Sequence, residues 1–164
     1  MACLGVYFAL TQDESIKLLS AKGDEVVRII KEEIESRWDE EWLVQTDKAW
    51  DAIDHCLSQG NSGVLHKFVL GGKKLCDGPN YVVSYLTPDE VKAIAIAATP
   101  IAKEWFRERY FNLKKSILGI NISNYEGPVT EQDFDYIWEY FQYAREFFEK
   151  AAGAGRPVVF TVDQ

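Results

Sequence analysis

The sequence predicts a single α+β domain over residues 1–164: a small mixed sheet that contains both terminal strands and is covered by several helices. Three observations carry that reading. Apolar runs at residues 4–10, 81–86 and 158–162 have strand length and are rich in Val, Tyr, Phe and Leu. Thr11, Thr87 and Thr130 each stand three residues before Glu14, Glu90 and Asp133, the spacing of a helix-opening box. The chain of 164 residues is 47% apolar, enough for one real core and too much for a disordered segment.

The elements follow in order. Residues 4–10, with Val6, Tyr7 and Phe8, make a buried first strand. Thr11 caps a helix carrying Ile16, Leu18 and Leu19. Gly23 stops it, and Asp24 caps a second helix from Glu25 to about Arg37, with Val26, Ile30 and Ile34 on its core face. Residues 38–44 read as a loop whose two indoles fold back. Asp47 then caps a short helix with an apolar stripe at Trp50, Ile53 and Leu57, ended by the turn 59–63. Residues 64–70 fit a helix or a strand equally, and Gly71-Gly72 breaks them. A turn at Asp77-Gly78-Pro79 leads into the strand 81–86. Thr87-Pro88-Asp89-Glu90 opens a helix that Pro100 interrupts, and a second segment runs from Ile101 to about Ser116. A loop at 121–128 precedes the longest helix, 131 to about 152. Gly153 and Gly155 close it, and a terminal strand follows.

Charge and cysteine content narrow the function classes. The net charge is −8, and the lysine pairs 73–74 and 114–115 stand apart, so the basic patch that nucleic-acid binding needs is missing. Charges interrupt every apolar run, which leaves no membrane span, and the first residues lack a signal-peptide pattern. Cys3, Cys56 and Cys76 are three, widely spaced and without a CxxC pair, as suits reduced thiols in the cytoplasm. Aromatic residues are 13% of the chain; most must be core, but such a set can also supply an interaction surface.

Two stretches gather candidate chemistry. Residues 47–57 hold Asp47, Asp51, Asp54, His55 and Cys56. Asp51 and His55 are four apart on one helix face, a metal half-site that nothing downstream completes, so neither a metal nor another cofactor is expected. His55 and Cys56 are adjacent and point about 100° apart, which rules out a local dyad. The second stretch, Trp38, Asp39, Glu40, Glu41 and Trp42, sets acidic residues between two indoles, a composition suited to docking on a basic partner.

The order and spacing of several weak motifs resemble the YfbM-like family of bacterial domains of unknown function. They are Asp47-Lys48-x-Trp50 with Ile53 and Leu57, Val69-Leu70-Gly71-Gly72, Tyr85-Leu86-Thr87-Pro88-Asp89-Glu90-Val91, Tyr140-Phe141, Phe147, and Lys150-Ala151-Ala152 before the last strand. The resemblance implies one α+β domain with no assigned activity. Some relatives stand beside toxin genes, which implies an immunity role. The chain departs from the pattern where Asp54 occupies the place of a histidine, with His55 next to it. The resulting expectation is a non-enzymatic cytoplasmic binding protein. It acts as an immunity-type inhibitor that neutralises a basic toxin or effector through Trp38, Asp39, Glu40, Glu41 and Trp42, with Asp51, Asp54 and His55 as further contacts. The alternative is a small hydrolase or transferase that uses the Asp47–His55 helix.

Overall fold

The last strand of the chain lies in the middle of its sheet. In the computed structural model, which describes residues 3–60, 63–113 and 130–163, five strands run in the order β2-β1-β5-β4-β3. They are β1 (Gly5–Ala9), β2 (Leu43–Asp47), β3 (Lys73–Asp77), β4 (Tyr81–Leu86) and β5 (Val158–Asp163). Both terminal strands belong to the sheet, as the sequence predicts. Every neighbouring pair is antiparallel rather than mixed, and β5 pairs with β1 on one side and β4 on the other.

Helices cover both faces. On one lie α1 (Gln12–Ser20) and α2 (Asp24–Ile29), which runs on into a π-helical turn, Ile30–Glu35. On the other lie α3 (Trp50–Ser58), a 3₁₀ turn (Gly63–Lys67), α4 (Pro88–Ala98), α5 (Lys103–Asn112) and α6 (Glu131–Gly153). Strand alternation sorts the side chains: Val6, Phe8, Val83 and Val159 meet the α1–α2 layer, and Tyr7, Val82, Phe160 and Val162 meet the larger one. Two covered faces explain why these strands read as unbroken apolar runs.

Local signals set most boundaries. The boxes at Thr11–Glu14, Thr87–Glu90 and Thr130–Asp133 are all formed, each hydroxyl accepting an N–H and each carboxylate reaching back. Pro88 occupies the first turn of α4, where its missing N–H costs nothing. α6 includes Gly153; Gly155 alone ends it, at φ +65°, with Gly155 N donating to Ala152 O and Arg156 N to Ala151 O.

Four expectations change. The second helix stops at Glu35, because its π-helical turn brings that carboxylate onto the sheet, where it accepts from Tyr81 Oη and, at 3.0 Å, from Thr161 Oγ1. Asp47 does not cap α3. It ends β2 at φ +47°, and α3 starts at Trp50 without a side-chain cap. β2 and β3 replace an expected loop and an unassigned stretch; both are five-residue edge strands, too short and too exposed to show a period. The 3₁₀ turn resolves the ambiguous run from residue 64, and a Cβ at Gly71 would collide with the His66 carbonyl. The expected loop at 121–128 lies outside the described residues.

Tyr7 is the centre of the larger core. Its ring is fully buried among Phe68, Phe147, Phe148 and Phe160, and its hydroxyl donates to Phe68 O at 2.8 Å. Trp50 packs beside it on Phe160 and donates its indole N–H to Cys3 O at 3.0 Å, tying α3 to the entry of β1. Trp50→Ala is expected to lower unfolding free energy by about 3–5 kcal/mol, as deletion of a buried aromatic ring does. A urea titration followed by circular dichroism measures it.

Candidate functional site

The acidic–aromatic stretch divides into packed indoles and an exposed turn. Trp42 is partly buried against the larger core, with the Arg156 guanidinium 3.6 Å and Lys150 Nζ 4.5 Å from its ring centroid. It is a clamp between the turn, α6 and the start of β5. Trp38 sits on the other face, edge-on to Phe8 at 6.2 Å, 40% exposed and at φ +44°. Asp39, Glu40 and Glu41 between them are exposed. Asp39 Oδ1 accepts from Glu41 N at 3.2 Å, which shapes the turn, and Lys150 Nζ donates to Glu41 O at 2.6 Å, which ties it to α6.

The structure brings Asp51, Asp54 and His55 together but turns most of them inward. Asp51 is 7% exposed, with its Oδ1 3.6 Å from His55 Nε2; His55 keeps about a third of its side chain in solvent. Asp54 Oδ1 accepts from Leu70 N at 3.2 Å, which holds the chain after the 3₁₀ turn. Burial pushes the Asp54 carboxyl above the usual range, opposed by the Leu70 N–H and His55 and reinforced by Asp51. Burial also pushes the Cys56 thiol up to about 12, against the pull of Arg109, so it is a packing group rather than a nucleophile. Among the described residues, no three His, Cys, Asp or Glu side chains converge where they could hold a metal ion.

A different feature faces outward beside β2. Helix α6 packs along this edge strand and runs antiparallel to it, with Asp47 at Tyr136 and Glu41 at Lys150. Between them lies a groove of about 530 Å³ lined by Leu4, Leu43, Val44, Gln45, Asp47, Tyr140 and Tyr143. Tyr136, Tyr140 and Tyr143 form a stripe at helical spacing, with ring centroids 4.9 and 6.1 Å apart along it. Each phenol sits in an acidic field. Burial and then a hydrogen bond to Asp47 raise the Tyr136 pKa, and burial and then the charges of Asp47 and Glu139 raise that of Tyr140. Tyr143 donates to Glu139 Oε1 at 2.6 Å, and Glu139 with Glu146 holds its pKa up. These tyrosines are absent from the sequence-predicted site, although their 4-and-3 spacing on α6 was readable. What hid them was β2, without which the stripe has no second wall.

Another groove, of about 560 Å³, lies where α1 and α4 begin, lined by Thr11, Ser15, Tyr85, Pro88 and Arg156 among others. Its helix ends are already occupied by Glu14 and Glu90. Asp51, Asp54 and His55 line neither groove.

Known proteins agree with this architecture. The model of the domain of unknown function DUF1877 matches residues 1–161. The chain belongs to that family. The solved structure of YfbM from Escherichia coli, itself described as a protein of unknown function, superposes with a TM-score of 0.70 at 14% identity. The match covers 97% of this chain and 99% of that one, and at such identity it speaks for the fold alone. Among curated proteins, no relative matches in sequence. No helix among the described residues is long and apolar enough to cross a membrane.

The buried carboxyl gives a test. A carboxylate whose folded pKa is raised destabilises the fold above its ordinary range, and this cost disappears as pH falls through the folded value. Asp54→Asn keeps the acceptor for Leu70 N and removes the charge. It is expected to raise the melting temperature at pH 7, with the difference closing toward pH 4. Differential scanning calorimetry at both pH values reads it.

Proposed function

We propose that this protein is a non-enzymatic binding domain, an immunity-type inhibitor that neutralises a basic toxin or effector protein in the cytoplasm. The observation that carries the reading is the acidic tyrosine groove between β2 and α6. Tyrosines offer large contact area at low entropic cost, and carboxylates beside them attract Lys and Arg. The exposed Asp39–Glu41 turn adds carboxylates beyond the Trp42 end of β2, and Trp38 is a separate exposed ring on the opposite face. The net charge of −8 favours fast encounter with a cationic surface. His55, with about a third of its side chain in solvent, is a further contact outside the groove. Asp51 and Asp54 act through the position of α3, since both are largely buried.

Two measurements test the reading. The tagged chain, used as bait in lysate from its source, is expected to capture a Lys- and Arg-rich protein whose toxicity its expression relieves. Capture of nothing, and protection from nothing, overturns it. Glu40→Lys with Glu146→Lys changes two exposed residues and is expected to leave the melting temperature unchanged. It should slow association with that partner by about tenfold at low salt, with the gap narrowing at high salt. Stopped-flow binding at two ionic strengths measures the effect.

A further inference from the structure

We propose that the groove between β2 and α6 takes an extended basic segment of a partner protein, which adds a strand to the sheet along β2. The inference rests on the protein-binding reading above and supplies its mode.

The two edges of the sheet are built differently. β3 carries Lys73 and Lys74 on its five residues and has a register irregularity between Lys74 and Cys76, devices that discourage further pairing. β2 is Leu43-Val44-Gln45-Thr46-Asp47, with neither lysine nor proline, and its irregularity falls only at its end, opposite Gly5 and Val6. The ladder shows which backbone groups remain. Ala9 N donates to Trp42 O, and Val44 lies opposite Tyr7, two residues further along β1. In an antiparallel pair alternate residues turn their N–H and C=O to the same side, so Leu43 and Gln45 direct theirs away from β1. Gln45 is exposed, and β2 is an edge among the described strands.

The groove has the dimensions of a strand. From Leu43 to Asp47 β2 covers roughly 13 Å, and the tyrosine stripe of α6 from Tyr136 to Tyr143 covers about 10 Å. An edge strand facing a helix across a groove is the arrangement in which extended peptides are held, with main-chain bonds supplying affinity and pockets reading alternate side chains. Here the side chains reaching the α6 wall meet Tyr140 and Tyr143, with Asp47, Glu139 and Glu146 around them. Aromatic faces flanked by carboxylates select Lys or Arg at those alternate positions. The occupant is therefore an extended segment with a basic residue at every second position.

The probe is a capped eight-residue peptide alternating lysine and threonine, titrated against the intact chain with amide resonances as readout. Three further peptides serve as controls: one with glutamate for lysine, and two N-methylated at every second residue in opposite phases. The lysine peptide is expected to shift the Leu43 and Gln45 amides and slow their hydrogen exchange. One methylation phase should weaken binding by about tenfold or more while the other is tolerated, because only one phase faces β2. The glutamate peptide should not bind. Absence of lysine-peptide binding at millimolar concentration, equal behaviour of both phases, or unperturbed Leu43 and Gln45 amides overturns strand addition. None of these outcomes touches the capture experiment, whose failure alone removes the underlying binding reading.

Discussion

The fold depends on the insertion of β5 between β1 and β4. Without it the sheet is two separate pairs, β2–β1 and β3–β4, neither wide enough to hold a helix layer on each face. β5 supplies Phe160 to the larger core and Val159 to the smaller one, so a single strand joins both hydrophobic layers. It also pairs the opening of the chain with its end, a contact of very long sequence separation. Such contacts carry a loop-closure cost before they return any stabilisation, which places sheet completion late in folding.

The same insertion positions the candidate site. With β5 and β4 on one side of β1, β2 is left as an outer strand, and α6, which leads directly into β5, is laid along it. The apolar side of α6 faces the core through Phe134, Phe141 and Phe148, so Tyr136, Tyr140 and Tyr143 fall beside the edge. Trp42 holds the far end, with Lys150 and Arg156 from just before the strand both against its ring. Packing and the exposed acidic surface therefore share elements.

The Asp51–Asp54–His55 cluster shows why density of reactive residue types is a weak guide. In sequence the three look like a half-built active site. In space Asp54 anchors a backbone turn and Asp51 lies against His55 under cover, with Cys56 behind them in the core. Asp54 joins α3 to the segment that follows the 3₁₀ turn. The tyrosines of α6 have the opposite history: individually they are ordinary helix residues, and only the neighbouring strand makes them a surface.

Local physical chemistry decided much from sequence alone. The three capping boxes, the proline at the start of α4, the central strands and the α+β class follow from hydrogen bonds and periodicities complete within a few residues. The resemblance to the YfbM-like family likewise rests on order and spacing along the chain. Tertiary structure decided the rest. The edge strands β2 and β3 exist because β1 and β4 offer them a ladder, not because their residues demand it. Glu35 interrupts its helix because Tyr81 and Thr161 await it across the layer. Asp47 abandons its expected cap because β2 ends there and Tyr136 takes its carboxylate. The groove needs α6 and β2, nearly a hundred residues apart, and no local signal reaches that far.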